Sequence, residues 1–125
     1  MTIIEKPWGY ERILEQNEHY VVKLLHLDPR SRTSLQYHKK KHETLILISG
    51  ISYLTHSRYT PLNWMMWTDG GIQEPNYLMI TGEPVVLAPT MHHRLGTGEL
   101  AADLIEVSTP ELDDVVRLED DYGRA

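Results

Sequence analysis

Histidine side chains are the groups of this chain best suited to chemistry, because there are seven of them and no cysteine. His38 ends an alternating segment, residues 33–38, in which Gln36 points to the same side. His42 and Glu43 follow directly, and His93 comes much later in the chain. Imidazole and carboxylate groups without sulfur suit divalent ions such as Zn²⁺, Mn²⁺, Fe²⁺, Co²⁺ or Ni²⁺. The pattern by itself is equally compatible with ordinary surface or hydrogen-bonded histidines.

Short apolar or alternating segments that end at Pro, Gly, Asp or Thr must position these side chains. The segments that predict β-strands are residues 20–27, 33–38, 44–49, 52–55, 77–81, 85–87 and 102–108. Short strands with turn signals at this spacing are typical of an all-β sandwich or barrel. Only the segment at residues 112–118 favours a turn of helix. A strand with one polar face can line a barrel whose interior is wet, which would place His38 and Gln36 inside.

The composition is that of one globular domain, which we expect to span residues 1–125. Twelve Lys and Arg against eighteen Asp and Glu give a formal charge of −6, which argues against nucleic acid as a partner. No apolar run approaches the roughly 20 residues of a membrane helix. Charged residues occupy the N-terminus where a signal peptide needs an apolar core, so we expect a cytoplasmic protein.

Residues 60–76 do not fit the strand pattern, because two Trp, two Met, two Pro and two Gly follow one another there without alternation. We expect an inserted loop. It would serve as a lid, a pocket wall or an oligomer contact, or would simply fold over the edge of the core.

The spacing around the histidines resembles the two motifs of the cupin superfamily. Glu43 is followed by six residues and then Gly50, as in the first motif, and Gly82 and His93 stand at the separation of the second. Several motif positions depart from the pattern; they are held here by Arg32, Lys40, Ala88, Thr90 and Thr97. The resemblance implies a cupin-type β-barrel, or jelly roll, in which one of the usual metal-binding imidazoles is replaced by Lys40.

A narrower resemblance covers nearly the whole chain. Residues 6–9 (KPWG), 34–38 (SLQYH) and the tail at 119–124 (EDDYGR) are similar to the cupin domain of type II mannose-6-phosphate isomerases. In many of those proteins this domain follows a mannose-1-phosphate guanylyltransferase domain. Nothing in these 125 residues resembles its Gly-rich nucleotide loop, so the resemblance implies only the isomerase-like half.

The narrower resemblance implies aldose–ketose interconversion of mannose 6-phosphate and fructose 6-phosphate. A divalent cation held by His38, Glu43 and His93 would polarise the sugar carbonyl. His42 would replace the lost imidazole only if the chain turned tightly after Lys40, because strand parity otherwise points it away from His38.

Further side chains would contact the substrate. Lys40 would share the face of His38. This position would then either supply no metal ligand or bind substrate as a cation. Alternatively, the run of three lysines is simply a solvated surface. Glu106 is the candidate base. The candidate substrate-binding residues, chosen mostly as donors to phosphate, are Gln36, Arg94, Arg117 and Arg124. His92, adjacent to a ligand in its strand, is expected on the exterior.

Two other functions stay open at this point. The chain could bind a saccharide or metabolite without turning it over, since a lost ligand weakens metal affinity, or it could be a cupin oxygenase or lyase. The expected partner is a sugar phosphate or saccharide, with neither membrane nor nucleic acid involved. We also expect a homodimer, because exposed strand edges and a Trp-rich loop favour association.

Overall fold

The computed structural model describes residues 2–57, 76–111 and 113–125. Within these ranges the chain forms strands and no helix that is long and apolar enough to cross a membrane. The strands are β1 (Thr2–Lys6), β2 (Gly9–Gln16), β3 (Val21–Leu27), β4 (Leu35–Tyr37), β5 (Glu43–Gly50), β6 (Tyr53–Ser57), β7 (Asn76–Leu78), β8 (Pro84–Leu87), β9 (His92–Gly96), β10 (Ala102–Ser108) and β11 (Val116–Glu119).

Two antiparallel sheets form from these strands. The first has the order β1-β2-β3-β10-β5-β8, and the second has the order β11-β4-β9-β6-β7. Alternation along each strand turns every second side chain inward. The buried apolar cluster therefore comes from both sheets: Trp8, Leu25, Leu27, Leu45, Leu47, Leu54, Met79, Leu87, Leu95, Ala102 and Leu104. The all-β prediction is confirmed.

The inward face changes character along the strands. On β10 the inward positions run from Leu104 through Glu106 to Ser108, and all three are buried. On β5 the inward Leu45 and Leu47 follow Glu43 in the same way. One end of the space between the sheets is consequently apolar, whereas the other carries charged groups.

Three strands were not predicted from sequence, and one segment was assigned wrongly. The helical turn expected at residues 112–118 is wrong, because residues 116–119 form β11 and pair with β4. The pairing of Arg117 with Gln36 joins segments about eighty residues apart, and periodicity within a segment contains no such partner. Strands β1, β2 and β9 were also missed. Asn76, the last residue of the loop expected at residues 60–76, begins β7. The rest of that expected loop lies outside the described residues.

Candidate metal centre

Three side chains from distant parts of the chain meet between the two sheets. His38 directly follows β4, His93 lies in β9 of the same sheet, and Glu43 begins β5 of the opposite sheet. One nitrogen or oxygen atom from each lies within 4.8 Å of the other two. All three residues are buried, with between 4 and 5% of their surface exposed.

The two imidazoles are oriented by backbone carbonyls. His38 Nδ1 lies 2.5 Å from the carbonyl oxygen of Asp114, and His93 Nδ1 lies 3.0 Å from that of Met91. A carbonyl oxygen can only accept, so each Nδ1 carries a proton, and in its neutral form each ring presents a bare Nε2 lone pair. Hydrogen bonds of this kind fix the tautomer of metal-binding histidines.

Both Nε2 atoms face the carboxylate of Glu43. His38 Nε2 contacts Glu43 Oε1, and His93 Nε2 lies 3.9 Å from the same oxygen. None of these three buried atoms has a hydrogen bond of acceptable geometry to a described residue. Lone pairs that face one another without a proton repel, so a cation between them would satisfy all three atoms. The donor set, two imidazoles and a carboxylate, fits a divalent metal ion.

The protonation states also suit a metal site. Burial by itself raises the pKa of Glu43, but contact with His38, the proximity of His93 and the charge of Lys41 outweigh it, so the pKa lies below its ordinary value. Burial lowers the pKa of His93, and the charge of Glu43 offsets this only in part. Glu43 is therefore ionised and His93 neutral near pH 7, the forms that bind metal.

A second carboxylate stands beside the three candidate ligands. Glu106 is 8% exposed, and Lys41 Nζ lies 3.6 Å from Glu106 Oε2 and 3.6 Å from Glu43 Oε1. Burial and then the charge of Glu43 raise the pKa of Glu106 to about 7, although Lys41 and Lys23 act in the opposite direction. A carboxyl group with such a pKa can both accept and donate a proton at neutral pH.

These groups line a cavity of about 340 Å³ between the sheets. The charged and polar residues at its wall are Lys6, Glu11, Lys23, Thr33, Ser34, Gln36, His38, Lys41, Glu43, His93, Glu106, Asp113, Arg117 and Arg124. Apolar side chains, Trp8 and Leu25 among them, form the remainder. The volume is at the lower end of the range for small-molecule sites.

Of the residues predicted to bind substrate, three lie at this cavity. Gln36 accepts a 2.7 Å hydrogen bond from Ser34 Oγ on its Oε1. Arg124 donates from Nε and Nη2 to the carboxylate of Asp120, at 2.9 Å each, so its charge is already matched. Arg117 lines the wall from β11.

Two predicted site residues lie elsewhere. Lys40 does not share the face of His38, because β4 ends at Tyr37 and the chain then turns; Lys40 is exposed and its backbone N–H donates to Asp114 Oδ2 at 2.7 Å. His42 is exposed as well and lies outside the group of three. The turn that was expected to bring His42 to the metal instead brings Lys41 inward.

Two residues of β9 also differ from expectation. Arg94 is buried on the opposite side of the sheet, where its Nε donates to the carbonyl oxygen of Thr33 at 2.9 Å, and it lines a different cleft. His92 is fully buried rather than exterior, with its ring stacked on Tyr37 at 5.3 Å between centroids. Burial and then the neighbouring His93 imidazole lower the pKa of His92 to about 4, so His92 is neutral at pH 7.

Comparison with known proteins places this site in a family. Residues 2–66 match the family described as "Mannose-6-phosphate isomerase C-terminal", which is just over half of the 125 residues. The chain belongs to this family. The resemblance predicted from the sequence is thereby confirmed.

Relatives in this family are longer proteins. Over 97% of its length this cupin domain is 28% identical to the xanthan biosynthesis protein XanB of Xanthomonas campestris. Over an equal share, 97%, it is 30% identical to the mannose-1-phosphate guanylyltransferase ManC of Salmonella typhimurium. The chain spans about a quarter, 23%, of each of these relatives.

Solved structures support the cupin fold. A cupin-like protein from Thermotoga maritima superposes with a TM-score of 0.68, covering 89% of this chain and 76% of that one at 17% identity. At such low identity the likeness shows the fold alone. The cupin-type jelly roll predicted from the sequence is confirmed.

Sequence reasoning missed two lysines of this cupin domain. Lys41 stood in a run of three lysines and was set aside as solvated surface, yet it is 6% exposed. Lys23 stood within an apolar strand, and its Nζ donates to Glu11 Oε2 at 2.9 Å at the cavity wall. A charged residue inside an otherwise apolar strand was the available signal, because such a residue must find a partner.

Proposed function

We propose that this cupin domain is a metal-dependent isomerase that interconverts the aldose and ketose forms of a phosphorylated sugar, with mannose 6-phosphate as the leading substrate. The observation that carries the proposal is the convergence of His38, Glu43 and His93 beside Glu106, whose pKa is raised to about 7. The family description and the guanylyltransferase relative, an enzyme of mannose phosphate, support the choice of sugar.

The candidate metal-binding residues and Glu106 have different roles in the proposed reaction. A divalent cation bound by His38, Glu43 and His93 would polarise the carbonyl oxygen of the sugar and so make the neighbouring C–H bond more acidic. Glu106 in its ionised form accepts the proton from C2 and returns it to C1, while the hydroxyl proton of O2 passes to O1, so that the aldehyde at C1 becomes an alcohol and C2 becomes the ketone. The same carboxyl group serves both directions because its pKa lies close to neutrality.

Lys41 has an electrostatic role in this proposal. Burial by itself lowers the pKa of Lys41, but the charges of Glu106 and Glu43 outweigh burial, so the pKa is raised and the side chain is positive. Its charge keeps two carboxylates together in a buried cavity. It also stabilises the negative charge that develops on the sugar oxygens when the proton leaves.

The metal part of the proposal is tested by elemental analysis. His38→Ala and His93→Ala should lose the metal that the wild type retains after gel filtration. His42→Ala is the matched control, since His42 is an exposed histidine of the same loop, and it should keep the metal. Equal stoichiometry in all four proteins would refute the site.

The reaction is tested separately. Protein loaded with Zn²⁺, Mn²⁺, Fe²⁺, Co²⁺ or Ni²⁺ is incubated with mannose 6-phosphate, and fructose 6-phosphate is measured. Formation of product with at least one ion is expected. Saccharide binding without product for any ion would favour the non-catalytic alternative, and neither binding nor product would favour another cupin chemistry.

A further inference from the structure

A row of inward side chains crosses the second sheet. In the strand register Arg117 of β11 stands opposite Gln36 of β4, and Gln36 stands opposite His93 of β9. Residues opposite one another project to the same face, and all three line the cavity. Adjacent strands lie about 4.8 Å apart, so the backbone of Arg117 is roughly 10 Å from that of the candidate ligand His93.

Arg117 differs from Arg124 and Arg32 because it forms no ion pair with any of the residues that the structure describes. Its Nε is buried and has no hydrogen-bond partner among the described residues. By contrast, Arg124 holds the carboxylate of Asp120, and Arg32 holds that of Asp121 at 2.5 and 2.7 Å. A buried cationic donor without a partner is unfavourable, so an anion that enters the cavity would gain a strong interaction there.

Gln36 complements this position. Its Oε1 is occupied by Ser34 Oγ, which leaves the side-chain NH₂ group as a donor. A guanidinium beside an amide donor suits an oxyanion with several acceptor oxygens, and a phosphate monoester has three.

We propose that Arg117 and Gln36 form a phosphate-binding subsite, which selects ligands that carry a phosphate at the end of the molecule away from the metal centre. This inference rests on the proposed function, because it assigns the remote end of the same substrate. The distance of roughly 10 Å between the backbones of Arg117 and His93 is comparable with the length of an extended hexose phosphate. Arg94 and Arg124, the other arginine candidates, are excluded by their positions and partners.

The test compares ligands that differ only in the distal group. Metal-loaded wild type and variants are titrated calorimetrically with mannose 6-phosphate, with mannose, and with mannuronate, which carries a carboxylate instead. Arg117→Gln should weaken the binding of mannose 6-phosphate by about 10- to 100-fold, which is the effect of losing one charged hydrogen-bonding group. The affinity for mannose should not change. Arg117→Lys should fall between wild type and Arg117→Gln, because it keeps the charge and loses the planar pair of donors.

The control variant is Arg30→Gln, an exposed arginine paired with Glu99 outside the cavity. It should bind all three ligands as the wild type does. Circular dichroism and thermal melting establish that each variant is folded.

The outcomes separate this inference from the proposed function. The subsite is refuted if Arg117→Gln binds mannose 6-phosphate as tightly as the wild type does. It is also refuted if the variant loses as much affinity for mannose as for mannose 6-phosphate. Equal losses of affinity for mannose 6-phosphate and for mannuronate would also refute a phosphate-selective subsite. Preserved discrimination by the wild type without any formation of fructose 6-phosphate would refute the isomerase and leave the subsite standing. Inorganic phosphate should still bind to His38→Ala, with an affinity that Arg117→Gln reduces.

Discussion

Glu43 of the first sheet contacts polar groups of the second sheet. It faces two imidazoles from the second sheet and a lysine from its own loop, and the contact with His38, the proximity of His93 and the charge of Lys41 together outweigh the effect of burial on its pKa. Glu106 has the same side chain and is also buried, but burial and then the charge of Glu43 raise its pKa. Two carboxylates that both contact Lys41 therefore differ in role: one is an ionised candidate ligand, and the other is a group that can exchange a proton.

Replacement of Glu106 by Gln separates these two roles. The substitution keeps the shape and removes the proton acceptor, so kcat for isomerisation should fall by about 100-fold or more while the metal content stays at the wild-type level. Glu43→Gln is the comparison, since it should lose the metal as well. Steady-state kinetics and elemental analysis of both variants measure the difference. Full activity in Glu106→Gln would show that another group moves the proton.

Asp114 positions His38 through the loop that follows β4. Its carboxylate accepts the backbone N–H groups of Lys39, Lys40 and Lys41 at 3.0, 2.7 and 3.0 Å, and its carbonyl oxygen holds His38 Nδ1. Three such hydrogen bonds lower the pKa of Asp114 against the effect of burial.

Loss of this carboxylate should loosen the candidate metal centre without removing a ligand. We expect Asp114→Ala to weaken metal affinity by about 10- to 100-fold, as is usual for partners behind a ligand. The neighbouring Asp113→Ala removes an exposed carboxylate that makes none of these bonds, and its effect should be much smaller. Competition with a chromophoric chelator measures both. Equal effects in the two variants would point to general electrostatics instead of loop geometry.

At the scale of elements, the end of β5 depends on a glycine. Gly50 has φ +80°, and a Cβ at this position would lie 2.0 Å from the carbonyl oxygen of Ala101. Both the backbone conformation and the close approach exclude a side chain. The glycine that matched the cupin motif in the sequence therefore has a steric reason.

Gly50→Ala should destabilise the fold by at least about 2 kcal/mol, because strain and a backbone clash act together. This corresponds to a fall in Tm of roughly 5–10 °C for a chain of this size. Gly98→Ala is the control: no atom lies within 4 Å of its added Cβ, so little change is expected. Thermal melts followed by circular dichroism compare the two, and equal Tm values would contradict the steric argument.

At the scale of the molecule, the outer face of the first sheet carries exposed apolar residues. Val86 and Val107 flank Thr44 in adjacent strands, and their exposed fractions are 63 and 37%. Isolated apolar residues on a surface are common, but a cross-strand row of them favours association. The homodimer expected from the sequence stays a prediction, and this face is where we expect the contact.

The dimer is tested by sedimentation at micromolar concentration. The wild type should sediment as a dimer, and Val86→Glu should shift the equilibrium to monomer by at least tenfold in the dissociation constant, because a charge would be buried at the contact. Leu100→Glu changes a residue that is 56% exposed in a loop away from this row, and it should leave the dimer intact. A monomeric wild type would contradict the prediction.

The sequence by itself determined the fold class and pointed to His38, Glu43 and His93, although it also offered His42, which lies outside this group. Alternation in the segments around His38 and at residues 102–108 is a local property of the sequence. The spacing from Glu43 to Gly50 can likewise be read directly from the chain. The tertiary structure alone decided which neighbour in the lysine run turns inward and that residues 116–119 are a strand. Both outcomes depend on contacts between distant segments: Asp114 holds the loop that directs Lys41 inward, and β4 pairs with β11. Local periodicity does not encode such partners, and they set the positions of both Lys41 and Arg117 at the cavity.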